Sequence, residues 1–180
     1  MFIDLTPEQR ALRAELREYF ADLVTADEAA VMLTERHGPT YRKVIKRMGD
    51  DGWLGVGWPT EFGGQNRSMM DQLIFTDEAA IAGVPVPFLT VNSVAPTIMA
   101  FGTTAQKEYF LPRIARGELH FAIGYSEPGA GTDLAGLRTR AVRTTDDAGR
   151  PVYKVDGQKM WTSAAQKAHW GVCLARTDPE

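Results

Sequence analysis

The chain has 180 residues, 44% of them hydrophobic and 24% charged, and a formal net charge of −3. That balance excludes a disordered chain, which is poor in apolar residues, and the slight negative charge leaves no basic footprint for nucleic acid. No run approaches the roughly 18 consecutive apolar residues of a membrane span, the start MFIDLTPEQR lacks a secretion signal's basic and apolar stretches, and the single Cys173 has no internal partner, so a cytoplasmic protein is expected.

The first helix is announced by Thr6, Pro7 and Gln9: the threonine hydroxyl accepts a free N–H, proline suits the first turn, and glutamine reaches back. Leu5, Leu12, Leu16, Tyr19, Phe20 and Leu23 then recur at helical spacing and form its core stripe. A second helix is expected from Pro39 through Val44, Ile45 and Met48, stopped by Gly52, with its basic run RKVIKR in solvent. The string GWLGVGWPTEFGG over 52–64 has too much glycine for a helix and too much apolar surface for a linker, which predicts a packed loop.

Ser68 caps a third helix running through Leu73, Ile74 and Phe75 to about Ala82, with Gly83 closing it before VPVP. A fourth covers about Thr90 to Phe101 and stops at Gly102, and a fifth opens at Thr104 and fades before Gly117. Beyond Gly117 come short runs of β-branched and aromatic residues: LHFAIGY, LRTRAVRT, PVYKVDG and HWGVCLAR. The loop DDAGR has hairpin chemistry. The reading is therefore α+β, with an all-helical domain over 1–118 and the start of an antiparallel β domain over 119–180. Cys173, in WGVCLA, is expected as a buried strand cysteine, and His37, His120 and His169 lie too far apart for a zinc set, so no metal is assigned.

The segment YSEPGAGTDLAG crowds glycines between two strands, where backbone can approach a ligand closely and Ser126 and Thr132 add hydroxyls. It lacks the Gly-Lys-Ser/Thr of a phosphate loop and the third glycine of a dinucleotide fingerprint, and alone it serves equally as a surface turn. A second segment, GQKMWTSAA, sets Lys159, Trp161 and two hydroxyls within five residues; alone, its tryptophan fits core packing better than a cofactor platform.

Taken together and in order, GWPTEFGG at 57–64, KEYFLP at 107–112, SEPGAGTD at 126–133 and DGQKMWTSA at 156–164 resemble one family, the acyl-CoA dehydrogenases, and the resemblance covers the whole chain. It implies a flavoenzyme with a helical N-terminal domain, a middle β domain and a C-terminal four-helix domain that is absent from this chain. By position, Tyr125 and Ser126 would contact FAD through backbone and hydroxyl, and Gly131 and Thr132 would lie by the pyrophosphate and the acyl-CoA substrate. Trp161 and Ser163 would border the isoalloxazine ring. Ser126, Thr132 and Ser163 stand where the family usually has Thr, Ser and Thr, and Thr162 replaces a common Ile.

The implied reaction is α,β-dehydrogenation of an acyl-CoA thioester, with a carboxylate taking the α-proton and a hydride passing to flavin. In this family the base lies in the C-terminal domain, so no catalytic residue is assigned here, and Glu127 belongs to the EPGAG loop. The expected acceptor is an electron-transfer flavoprotein. The chain is read as a fragment or as a subunit completed by another chain in a homo- or hetero-oligomer. FIDLTPEQR and HGPTYRKVIKRMG are similar to dehydrogenases of sterol side-chain breakdown, some of which work as two unlike subunits, and this implies a bulky polycyclic acyl-CoA. A non-catalytic flavin-binding or assembly subunit, and a flavin oxidase or monooxygenase of the same superfamily, remain the alternatives.

Overall fold

The computed structural model describes residues 4–177. The chain divides into two compact units, one ending at His120 and the other beginning at Phe121.

The first unit is helical. Helix α1 (Pro7–Leu23) starts at a full capping box: the Thr6 side chain accepts from Gln9 N at 3.2 Å, and Gln9 Oε1 accepts from Thr6 N at 2.9 Å. Leu12, Leu16, Phe20 and Leu23 are buried along it. Helix α2 (Ala26–Thr34) is not among the five expected from the sequence. Its nine residues bury no side chain, so it carries no core stripe to reveal it, and its start lies in a second capping box, Thr25 with Glu28. Helix α2 is tied to α3 (Pro39–Asp50) by Glu28, whose two oxygens accept from Arg47 Nη2 at 2.8 and 2.9 Å. Arg47 is therefore only partly solvated, against the expectation for its basic run; its guanidinium reaches the carboxylate of the unforeseen helix.

Helix α3 buries Tyr41, Val44, Ile45 and Met48, and Gly52 follows it at φ 80°, a left-handed conformation that glycine adopts freely. The 52–64 loop is packed as expected: Trp53, Leu54, Val56 and Trp58 are buried, and the Trp58 indole donates to Val91 O at 3.2 Å. Helix α4 (Met69–Ile81), capped by Ser68, lies against α1, with Phe20 and Phe75 ring centroids 5.6 Å apart. Across the same interface the buried Glu78 carboxylate accepts two hydrogen bonds from Arg17, at 2.8 and 3.1 Å.

The expected helix from Thr90 to Phe101 is two pieces, a π turn (Thr90–Val94) running into α5 (Ala95–Phe101). Pro96 has no N–H for the preceding turn, and the wider turn sits immediately before it. Helix α6 (Thr104–Ala115) opens with a Thr103–Gln106 capping box.

The second unit holds four strands among the described residues: β1 (Phe121–Gly124), β2 (Arg140–Thr145), β3 (Pro151–Asp156) and β4 (Trp170–Cys173). Strands β2 and β3 form the expected antiparallel hairpin, in register from Arg140↔Asp156 to Thr145↔Pro151. Its turn is organised by Asp146 Oδ1, which accepts from Ala148 N at 3.0 Å and Arg150 N at 2.9 Å, with Gly149 at φ 75°. One pair departs from the antiparallel pattern: β1 and β4 run parallel, Phe121↔Trp170 to Gly124↔Cys173. A parallel pair needs a long return, and the whole β2–β3 hairpin lies within this one. Cys173 is exposed rather than buried: among the described residues β4 has β1 as its only strand neighbour, and nothing covers the thiol.

Candidate functional site

Two segments meet in the second unit, one leaving β1 and the other leaving β3. The chain after β1 folds back at once: Glu127 N donates to Ala130 O at 2.8 Å and Ala130 N donates to Glu127 O at 3.2 Å, closing a reverse turn through Pro128 and Gly129. The segment after β3 docks on its base. Met160 N donates to Ser126 O at 2.9 Å, and Lys159 Nζ donates to Tyr125 O at 3.0 Å and Glu127 Oε1 at 2.9 Å. The Glu127 and Lys159 side chains are only 7% and 13% exposed, so water screens the pair little.

Glu127 also accepts from Arg138 N at 2.6 Å and Thr139 N at 2.9 Å. This one carboxylate therefore joins the 125–127 strand end, the start of β2 and the 159–160 segment. The adjacent Thr139 side chain, the Lys159 ammonium and the two backbone N–H groups hold its carboxyl down to about 2, from an ordinary value of 4.5. The ionised form is the one the fold binds. Its contribution to stability is thus complete above pH 4.5 and is lost as pH falls toward about 2. Acid unfolding of the second unit is expected to show a loss in that window that Glu127→Gln removes, because glutamine does not titrate. An identical acid limb in both proteins would contradict the assignment.

Past Met160 the chain turns sharply. Trp161 and Ala164 have φ of 58° and 59°, and Ser163 N donates to Trp161 O at 2.9 Å. A bulky side chain in the left-handed region is strained, and here Trp161 is 82% exposed, with no core packing to compensate. Exposure of that kind suits a flat ligand better than the core role the tryptophan suggested in isolation. Thr162 stands by β1, its Oγ1 3.8 Å from the Cβ position of Gly124.

Of the six residues singled out for a flavin, the fold brings Tyr125 and Ser126 to the segment carrying Trp161 and Ser163 through the Lys159 and Met160 bonds. Gly131 and Thr132 lie past the reverse turn, both exposed, and a Cβ at Gly131 would meet no atom within 4 Å. That open space permits close approach by a ligand. A hollow of about 330 Å³ behind the turn is lined by Glu127, Pro128, Arg138, Thr139 and Gln158 among others, and includes none of the six. The sequence reading missed the Glu127–Lys159 bridge. Both residues lie inside the motif strings, but their 32-residue separation hides the pairing.

The chain matches the models of the acyl-CoA dehydrogenase N-terminal domain over residues 6–118 and of the acyl-CoA dehydrogenase middle domain over residues 122–180. It is 61% identical to the acyl-CoA dehydrogenase FadE26 of Mycobacterium tuberculosis, over 100% of this chain and 45% of that protein. It superposes on the crystal structure of the ChsE4-ChsE5 complex from Mycobacterium tuberculosis with a TM-score of 0.90 and 62% identity, covering 99% of this chain and 45% of that one. A structure described as the Tcur3481-Tcur3483 steroid ACAD gives a TM-score of 0.88 at 48% identity, over 100% of this chain and 46% of that one. The chain thus spans about 45% of the length of the curated relative it matches.

Proposed function

The chain belongs to the acyl-CoA dehydrogenase family, and on that premise we propose that it supplies one wall of an FAD site in an enzyme that desaturates acyl-CoA thioesters. The observation that carries the reading is the junction at Ser126 and Met160, which sets the exposed, strained Trp161 beside the strand end at Tyr125. Tyr125 and Ser126 present backbone and hydroxyl groups, Trp161 offers a flat apolar face, and Ser163 adds a hydroxyl at the rim. Gly131 and Thr132 take the phosphate and thioester side, where the open backbone leaves room.

FAD, when bound, supplies the hydride acceptor. The residues of this chain bind and orient it and keep water from its face. Glu127 does not take the α-proton: its oxygens are engaged by Lys159 and two backbone N–H groups, and its carboxyl is held too acidic for a base. No residue of 4–177 is assigned as the base.

The relatives described as a steroid enzyme and as a two-protein complex support a bulky polycyclic acyl-CoA and a hetero-oligomer. We assign an electron-transfer flavoprotein as acceptor and a cytoplasmic location; among the described residues no helix is long and apolar enough to cross a membrane. The test is flavin affinity, read from the visible absorption of the purified protein on dilution. Trp161→Ala is expected to weaken FAD binding about tenfold, the scale of one lost aromatic face, while Trp161→Phe retains most of it. Equal affinity in Trp161→Ala and the parent protein would remove Trp161 from the site.

A further inference from the structure

Arg138, on the approach to β2, and Arg140, its first residue, lie close in the chain, and the fold sets Arg176 beside them. Arg176 N donates to Thr139 O and Ala141 N donates to Arg176 O, each at 2.8 Å, which lays Arg176 alongside Arg140 in a parallel bridge. The Arg176 side chain then reaches the turn before β2, donating from Nε to Leu137 O at 2.8 Å and from Nη2 to Ala135 O. Those carbonyls fix the guanidinium without neutralising it. The product is an open hollow of about 660 Å³ lined by Gly136, Leu137, Arg138, Arg140 and Arg176.

Among the described residues the lining holds three positive charges and no carboxylate. On the adjoining elements, Glu127 is occupied by Lys159 and backbone N–H groups, and Asp156 faces Arg140 in the hairpin register. Asp133 Oδ2 lies 3.1 Å from the Cβ position of Gly136. None of these forms an ion pair with the three arginines among the described residues. Three like charges around one hollow, in a chain of net charge −3, repel one another unless an anion joins them. Guanidinium groups favour oxyanions they can grip with paired N–H donors, and phosphate is the best match in charge and geometry.

We propose that this hollow is a phosphate-binding site that holds the nucleotide end of a coenzyme. The choice of coenzyme rests on the dehydrogenase reading, under which two sources exist: the phosphates of coenzyme A and the pyrophosphate of FAD. The arginines of this site select the ligand by its phosphates and touch no reacting atom.

The experiment compares the purified protein with an Arg138→Ala/Arg140→Ala variant, which leaves the structural Arg176 in place. Calorimetry gives the Kd of coenzyme A and of 3′-dephospho-coenzyme A, and absorbance gives the flavin content. The parent protein is expected to bind coenzyme A on the order of tenfold tighter than its dephospho form, with the advantage shrinking in high salt and vanishing in the double variant. A variant that keeps this discrimination but loses flavin would make FAD the source of the phosphate. Unchanged coenzyme binding and unchanged flavin overturn the proposal. Arg138→Lys/Arg140→Lys, which keeps the charge but not the paired donors, gives the same comparison should the alanine variant fold poorly, and is expected to lose part of the discrimination. Absence of acyl-CoA turnover in the parent protein would sink the dehydrogenase reading while leaving this binding comparison intact.

Discussion

Lys159→Met is expected to weaken FAD binding on the order of a hundredfold, more than any single contact to the ring, because it unpins both segments of the site at once. The ammonium bridges Tyr125 O and Glu127 Oε1, so methionine removes two bonds and leaves a little-exposed carboxylate without its counter-charge. Glu127 would then draw water or its own proton into the turn, and the Ser126–Met160 junction that positions Trp161 would loosen. The double variant Lys159→Met/Glu127→Gln is expected to recover part of the loss, since a neutral amide in that place tolerates the missing cation. Recovery by a second substitution separates this account from simple damage to the fold. A double variant that binds flavin no better than Lys159→Met alone would show that charge compensation is not what the pair contributes.

The second large effect is on stability. Gly49→Ala is expected to destabilise the helical unit by more than about 2 kcal/mol, read from chemical denaturation followed by tryptophan fluorescence. A Cβ at Gly49 would lie 2.2 Å from the Arg116 carbonyl carbon, 2.5 Å from its oxygen and 2.7 Å from Gly117 N. Those are backbone atoms at the end of α6, so no side chain can rotate away and one element must shift. Alanine would gain up to about 1 kcal/mol of helix propensity over glycine inside α3, and the clash outweighs it. Gly52→Ala is the control: it has no atom within 4 Å, and only its φ of 80° opposes the substitution, for a loss of about 1 kcal/mol. Should Gly49→Ala prove as stable as the parent, the close approach of α3 to the end of α6 would be wrong.

Helix α1 was readable because its signals agree: Thr6 and Gln9 bracket its start, and Leu12, Leu16 and Phe20 keep one period. Helix α2 has a local start signal in Thr25 and Glu28, but it buries no side chain to continue that signal as a stripe, and its tie to α3 is the Glu28–Arg47 pair between elements. The hairpin at Asp146–Arg150 was legible from turn chemistry, whereas the parallel partnership of β1 and β4 joins strands separated by the whole hairpin. Cys173 was misplaced for a related reason: composition gives the burial tendency of a cysteine, and the edge position of β4 decides the outcome. In the candidate site, Trp161 and the 125–132 loop stood out as strings. The left-handed backbone at Trp161, the Lys159 clamp and the clustering of Arg138, Arg140 and Arg176 belong to the folded chain alone.

We propose that Tyr125, Ser126 and Trp161 border a flavin that accepts hydride from an acyl thioester. Anaerobic titration of the full-length protein, with any subunit that copurifies, tests it most directly: polycyclic and straight-chain acyl-CoA thioesters are added while the visible flavin band is followed. The account predicts a stoichiometric flavin band bleached by an acyl-CoA, with bleaching lost in parallel with flavin in Lys159→Met. A protein that carries no flavin, or one fully loaded whose band no acyl-CoA diminishes, would contradict it.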